Sequence, residues 1–503
     1  MPDDRIRSIV IVGAGTAGWL AAAALARRLR PDFCELRLIA TPEHPAAVSE
    51  AALPSFHRLN RLLGIDERDL MQRTSATFRL GTQFIDWNRV GQSYFHCFGS
   101  IGAKLEAVSF HHHWIRLHRA GRGGALEDYS AAAVCSRQGR FAPPVADRHS
   151  VLSRYSYGYH FHARALAAYL RGFAQAHGVT AIERDVRAVR LRAEDGFVDA
   201  LELEDGTAIR ADLYIDCRGA GGAPPAAAPP LAPLDWSHWL PCDRAVAVAC
   251  ARSADPPPYA QATAGSFGWQ WRVPLQQCLD CGYAYSSRLI ADEAAAAELL
   301  SALPGQALGP PRQLRFVPGR PAHFWDRNWL RLPGNTLEPL EGTGLHLVQT
   351  GIMRLLNLFP VRRFSADALE EYNRLTVAEY ERIRDFLILH YKATTRADSP
   401  LWQHCRQMPV PDTLRARIEL FETCGRISLL EEEHFGEESW LSLLIGQGIE
   451  PGDYDPLADE LDTEAAHAAL AFLRSKIRDA VELLPPHAAY IAQQCPAHFL
   501  GAP

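Results

Sequence analysis

Ile6-Arg7-Ser8-Ile9-Val10-Ile11-Val12 runs directly into Gly13-Ala14-Gly15-Thr16-Ala17-Gly18 and then into Trp19 to Leu29, and these three pieces decide the fold. The first is a short apolar run rich in β-branched residues and the last is an Ala/Leu/Arg segment of strong helix formers, so the order reads strand, glycine turn, helix. Gly13 permits the tight turn, and Gly15 lets backbone N–H groups approach a pyrophosphate. Gly18 lets the helix lie close on the strand, with the helix N-terminus facing the phosphates. A GxGxxG in this setting points to a dinucleotide-binding α/β unit; the plain alternative is a glycine turn ahead of a buried helix. One usual part is missing. The second strand, Leu36 to Ile39, should end near an acid that holds the adenosine ribose, and Ala40-Thr41-Pro42 stand there. Ribose binding then comes from elsewhere or is weaker.

At 503 residues, 48% hydrophobic and 22% charged, the chain can bury the core of one large enzyme. A net charge of -6 with dispersed basic residues argues against nucleic acid as a partner. No apolar run reaches the roughly 18 residues of a membrane span, so no membrane partner is expected. Pro2-Asp3-Asp4-Arg5 leads straight into the first strand without room for a signal peptide, and the expected location is cytoplasmic. Eleven cysteines in a chain of this length read as reduced thiols, and the single CxxC, Cys278-Leu279-Asp280-Cys281, lacks the second pair a metal site needs. His111-His112-His113 cannot all converge on one ion from a regular element and read as a partly exposed run; no metal is expected.

Further along, Arg164 to His177 has helical periodicity, and Thr180 to Glu183, Val186 to Arg192 and Ala200 to Glu204 read as strands. Ala211 to Gly219 is an apolar strand ending in Asp216 and Gly219, a return to the nucleotide-binding sheet. Gly221 to Pro233 is a Pro/Ala-rich connector that marks a crossing into another layer. The expected organisation is a discontinuous nucleotide-binding region over 1–220 that also takes in about 315–365, a substrate layer over 221–314, and a mainly helical region over 366–503.

Gly268-Trp269-Gln270-Trp271-Arg272-Val273-Pro274 resembles the GWxWxIP signature of flavin-dependent tryptophan halogenases. The resemblance extends over most of the chain. Val48-Ser49-Glu50-Ala51-Ala52-Leu53-Pro54 is similar to the family's VGEAxxP strap, and Leu337-Glu338-Pro339-Leu340-Glu341-Gly342-Thr343-Gly344 to its LEPLESTG segment. Tyr157 to Ala163, Gly282 to Ser287, His390-Tyr391 and Gly446 to Ile449 also match family segments. The resemblance implies a Rossmann-type, flavin monooxygenase-like α/β fold with an interleaved substrate region. It further implies that reduced FAD from a separate flavin reductase reacts with dioxygen and halide, and that the resulting hypohalous acid travels through a tunnel to a lysine and a glutamate beside an aromatic substrate. Homodimers are common in the family.

Carried over residue by residue, the resemblance gives FAD contacts to Gly13, Gly15, Ala17, Gly18, Val48, Glu50, Ala51, Val186, Leu332 and Leu345. It gives a halide site to Thr343 and Gly344, shielding of the flavin to Trp269 and Trp271, and stabilisation of the cationic ring to Glu341. The lysine falls at Arg79, in Ala76-Thr77-Phe78-Arg79-Leu80-Gly81 ahead of Phe84 and Trp87. Arginine has a pKa above about 12 and no available lone pair, so it can hydrogen-bond hypohalous acid but not carry the halogen covalently. Gly342 replaces a serine, Arg331 to Thr336 differ from a small apolar run, and Ala47 and Ser49 replace strap glycines, where a Cβ at positive φ would cost about 1 kcal/mol.

Each assignment has a structural alternative: core aromatics for Trp269 and Trp271, a salt-bridge partner for Arg79, a solvated loop carboxylate for Glu50. Three functions stay open at this level. The leading reading is halogenation of an aromatic or heteroaromatic substrate, free, carrier-bound or peptidyl. The second is a halide-independent flavin monooxygenase or oxidase, motivated by Arg79, Gly342 and Asn335. The third is a noncatalytic flavin-fold partner subunit, motivated by Ala40 and the altered strap.

Overall fold

The computed structural model describes residues 4–40, 48–218, 233–252, 255–334 and 337–498. Thr41-Pro42, Ala47, residues 219–232 of the return strand's end and connector, and Asn335-Thr336 lie outside the described residues.

The apolar run at the N-terminus forms the strand Ser8–Val12, flanked in parallel by Glu35–Ile39 on one side and Leu213–Asp216 on the other. Its alternation serves two faces. Ile9 and Ile11 join the cluster that holds the Ala-rich helix Thr16–Arg28, while Val10 and Val12 face Val189, Leu201 and Tyr214. Gly13 turns the chain at φ +110°, and a Cβ on Gly18 would lie 1.8 Å from the Gly13 carbonyl oxygen, so helix and strand touch only because both residues lack side chains. Thr180–Ile182 extends the sheet at one edge, and Trp329–Arg331 adds in parallel beside Leu213–Asp216 at the other. Trp325–Asp326 closes that edge antiparallel, giving six strands drawn from four separate stretches of chain. The expected helix and strands from 164 to 204 form as Ala163–Ala176, Thr180–Ile182, Val186–Leu191 and Val198–Leu203.

The second large sheet has seven strands, in the order Arg312–Arg315, Arg244–Cys250, Leu279–Tyr285, Gly268–Pro274, Ala260–Ala264, Gly81–Ile85, Ser93–Cys97. Its last two strands come from within residues 1–220, so this layer is not confined to 221–314. The reason is the parallel pairing of Ala260–Ala264 with Gly81–Ile85, a contact between residues about 180 apart that no local pattern announces. A separate three-stranded sheet accompanies them. Gly158–His162 lies at its centre, with the strap strand Ser49–Ala52 on one side and Thr77–Arg79 on the other.

From Ala366 onward the described chain is helical, led by the 27-residue helix Ala366–Lys392. Ile383 to Tyr391 is buried on every side of that helix, which carries His390 and Tyr391 into the interior. The histidine triplet corrects an expectation. His111, His112 and His113 lie in the helix Phe110–Arg119 and are all buried; His111 donates to the Gly425 carbonyl (3.0 Å) and His112 accepts the Asp455 N–H (3.1 Å), stapling that helix to two loops, while the His113 ring nitrogens have no hydrogen-bond partner among the described residues. All cysteines but Cys424 are buried; Cys281 lies 3.7 Å from Cys250 through sulfur, and no group of metal-binding side chains occurs among the described residues. No helix among the described residues is long and apolar enough to cross a membrane.

Candidate active site

The glycine turn leaves room for a ligand. A Cβ on Gly15 would meet nothing within 4 Å, and the helix that starts at Thr16 has no side-chain cap and no acid in its first turn, so its free N–H groups suit a phosphate. The strap strand lies beside this turn. Glu50 is half-buried and hydrogen-bonded by Thr16, and burial pushes its pKa up to about 7. Ala17 and Val348 flank Gly334 within 3.4 Å of where its Cβ would stand, and Leu332 and Leu345 are buried nearby in the same apolar cluster. An uncapped helix start, an open glycine and an apolar wall fit a flavin dinucleotide. Val48 is fixed through its carbonyl, which accepts the Ala163 N–H (3.0 Å). Val186 stands apart, at the start of the strand that covers the outer face of the nucleotide sheet, against the Val189 and Tyr214 cluster.

Arg79 and Glu341 meet deeper in the protein. Leu340–Gly342 forms a single 3₁₀ turn in which both Glu341 and Gly342 adopt φ +64°, and the helix Gly344–Asn357 begins one residue later behind Thr343. A left-handed Glu costs on the order of 1 kcal/mol. Arg79 holds it there: Nη1 and Nη2 donate to the Glu341 carbonyl at 3.3 and 3.2 Å, and Nη2 also donates to Thr82 Oγ1 at 2.8 Å. The same guanidinium lies 3.6 Å from Glu341 Oε2 and 5.1 Å above the Phe98 ring. A Cβ on Gly342 would stand 2.6 Å from Ala51 Cβ and 3.2 Å from Arg79 Nη1, so the larger cation at 79 occupies the space beside a residue without a side chain.

Two histidines complete the chamber. His96 Nδ1 is 2.7 Å and His390 Nε2 3.3 Å from Glu341 Oε1. Gln447 donates to the Tyr94 hydroxyl (3.2 Å), which leaves the Tyr94 proton for His390 Nδ1 (3.2 Å) and the His390 Nε2–H for Glu341. Burial alone would raise the pKa of Glu341, but the two histidines outweigh it and hold the carboxyl well below the usual carboxylate range. Glu341 is thus an anion in a chamber walled by Phe84, stacked on His390 at 4.4 Å, and by Phe386 and Phe435 beside His96. Arg79 Nε, His96 Nε2, His390 Nε2 and Glu341 Oε2 are buried there without a hydrogen bond of good geometry among the described residues, His390 Nε2 facing Glu341 only as a 3.3 Å ion-pair contact.

Trp269 and Trp271 share one face of Gly268–Pro274 with ring centres 5.7 Å apart, and Trp87, 6.1 Å from Trp269 and 5.8 Å from His390, joins them to the chamber. Trp269 Nε1 donates to Glu338 Oε1 at 2.6 Å, and the Tyr391 hydroxyl donates to the same oxygen. Burial raises the Glu338 pKa to about 7. The structure therefore gathers Arg79, Glu341, the tryptophans and the strap. Sequence reasoning missed His96, Glu338 and Asp280, and gave His390 and Gln447 no role. The one available signal for His96 was the alternation Tyr94, His96 on a strand.

The sequence model of the tryptophan halogenase family matches residues 8–463. Tryptophan 7-halogenase KtzQ of Kutzneria sp. (strain 744) is 29% identical over 450 residues, covering 84% of this chain and 82% of that protein. The solved structure of BrvH, a flavin-dependent halogenase from Brevundimonas sp. BAL3, superposes with a TM-score of 0.93 at 40% identity over 98% of this chain and all of that one. A flavin-dependent halogenase from Xanthomonas campestris superposes with a TM-score of 0.92 at 37% identity over 99% of this chain and 100% of that one.

Proposed function

The chain belongs to the tryptophan halogenase family, whose members are FAD-dependent enzymes that halogenate aromatic compounds, and from that premise we propose that Arg79 and Glu341 form its catalytic pair. The observation that carries this reading is the fully buried Glu341 carboxylate met by His96 at 2.7 Å, His390 at 3.3 Å and the Arg79 guanidinium at 3.6 Å, among aromatic rings. Reduced FAD, supplied by a separate flavin reductase, provides hypohalous acid from dioxygen and halide. Gly13, Gly15, Ala17, Gly18, Val48, Glu50, Ala51, Leu332 and Leu345 would hold the flavin, Thr343 and Gly344 would hold the halide, and Trp269 and Trp271 would keep substrate and flavin apart.

Arg79 acts as a donor. Its Nε–H binds the oxygen of hypohalous acid, which polarises the oxygen–halogen bond toward an electrophilic halogen without forming a nitrogen–halogen bond. As the halogen bonds to a ring carbon, the oxygen–halogen bond breaks and hydroxide leaves beside the guanidinium. Glu341, already ionised, stabilises the ring cation, accepts its proton, and returns it so that water is released. His96 and His390 orient the carboxylate. The substrate is an aromatic or heteroaromatic small molecule, with an indole as the first probe because the named curated relative acts on tryptophan. A carrier-bound or peptidyl form of that ring and a homodimeric enzyme extend the same proposal.

The test is to mix purified protein with chemically reduced FAD, oxygen and bromide, and to trap released oxidant with monochlorodimedone. Bromide-dependent loss of the dye absorbance is expected. Oxygenation of an aromatic substrate indifferent to bromide would assign the halide-independent alternative, and no FAD binding would assign the partner-subunit one.

A further inference from the structure

Asp280 is a buried acid that the reaction does not use. It lies on Leu279–Tyr285, opposite Val273 of the tryptophan strand, and is 1% exposed. Its Oδ2 accepts a 2.5 Å hydrogen bond from Ser49 Oγ, while Oδ1 is buried without a hydrogen-bond partner among the described residues, on the sheet face it shares with Trp271, whose indole reaches toward it. That reach is possible because the Trp271 ring lies flat over Gly282: a Cβ on Gly282 would stand 1.9 Å from Trp271 Cζ2 and 2.2 Å from Cε2. Ser49 stands where the strap resembles a glycine, yet it takes an ordinary strand conformation opposite His162 and is not among the residues at positive φ. Its hydroxyl is therefore a contact added at no backbone cost. On the other tryptophan, Glu338 and Tyr391 fix Trp269, so the pair is anchored at one end to the turn that bears Glu341 and at the other to the strap.

We propose that Asp280 is a positioning residue that couples the strap to the tryptophan pair through the Ser49–Asp280–Trp271 contacts, so that flavin seated against the strap sets the place of Trp271. The inference rests on the reading that Val48 to Ala51 contact FAD. It explains why an acid is kept in an apolar strand interior, where an unpaired carboxyl would be costly.

The experiment uses the full chain and measures FAD affinity together with the ¹⁹F spectrum of protein labelled with 5-fluorotryptophan, the Trp271 resonance being assigned with Trp271→Phe. In the unmodified protein, FAD is expected to shift the Trp271 resonance. Ser49→Ala should weaken FAD binding about five- to tenfold and remove that shift at saturating FAD. Asp280→Leu should match it, the double variant should be no weaker than either single one, and Asp280→Asn, which keeps an acceptor, should bind FAD within about twofold of the parent. A Trp271 shift that survives Ser49→Ala, or strictly additive losses, would overturn the coupling; Ser49→Ala keeps the test decisive if Asp280→Leu does not fold. Neither readout depends on halogenation, so failure of the catalytic reading shows separately, as loss or retention of halogenated indole in the Arg79 and Glu341 variants.

Discussion

Glu341 and Glu338 sit three residues apart, both fully enclosed, and their surroundings drive them in opposite directions. Around the Glu341 carboxyl burial is outweighed by two histidines, with a guanidinium 3.6 Å away, and the carboxyl is held well below its ordinary range. Around Glu338 the donors are an indole and a phenol, neither charged, and burial prevails, raising its pKa to about 7. One region keeps a negative charge, as the proposed stabilisation of a cationic ring requires; the other uses a carboxyl only as a hydrogen-bond acceptor that holds a ring in place. A buried acid acquires a function from the charge of its donors, not from its burial.

The sharpest way to break this contrast is to remove the cation. Arg79→Met should cut halogenation by about 10³-fold or more, because it removes the donor to the oxidant and leaves Glu341 paired with histidines alone. Arg79→Lys should keep or raise the rate, since a lysine restores the charge and adds a nucleophilic nitrogen. Indifference to both, read as halogenated indole formed, would make Arg79 a structural residue. Next in size, Glu341→Gln should lower turnover by about 10²-fold while FAD affinity stays near that of the parent. An unchanged rate would remove Glu341 from the mechanism.

Local chemistry is legible in a sequence and convergence is not. Strand, glycine turn and helix over 6–29 could be read because the signals that specify them are local, a β-branched run, two glycines that meet each other and a run of helix formers, even though the strand's partners lie far along the chain. Arg79 and Glu341 could be named only through motifs resembling a family. Nothing in the chain announces that His96, on an edge strand, and His390, inside a 27-residue helix, point at the same carboxylate. Asp280 was hidden further still, inside a CxxC that drew attention to its cysteines. The substitution of Ser49 looked like a cost while its hydroxyl partner was unknown. The histidine triplet misled for the opposite reason: polar composition suggested exposure, and loop carbonyl and amide partners made burial affordable for His111 and His112.

Gly342 tests how closely the charged chamber is fitted. Gly342→Ser puts a Cβ 2.6 Å from Ala51 Cβ, against the guanidinium, at φ +64°. Halogenation should fall about tenfold, and adding Arg79→Lys should restore much of the loss by withdrawing bulk from the same space. A double variant that recovers nothing beyond the effect of Arg79→Lys in the parent would show that the two positions are filled independently.

The smallest effect lies on the neutral side, and its sign distinguishes the two acids. The Glu338 pKa rises from 4.5 to about 7 on folding, so the folded protein binds this proton more tightly than the unfolded chain. That contribution to stability is complete below about pH 4.5 and is lost as pH rises through about 7. Glu341 is lowered, so its contribution is present above its unfolded value and falls only in acid, outside this window. Glu338→Gln keeps the acceptor for Trp269 and Tyr391 and cannot ionise, so it should leave FAD affinity within about twofold. Its melting temperature relative to the parent should increase by about 1–3 °C between pH 5 and pH 8. Asp280, raised to about 6, remains in both proteins and cancels from the difference. A gap that stays flat across this range would place Glu338 among the ionised acids and remove the contrast with Glu341.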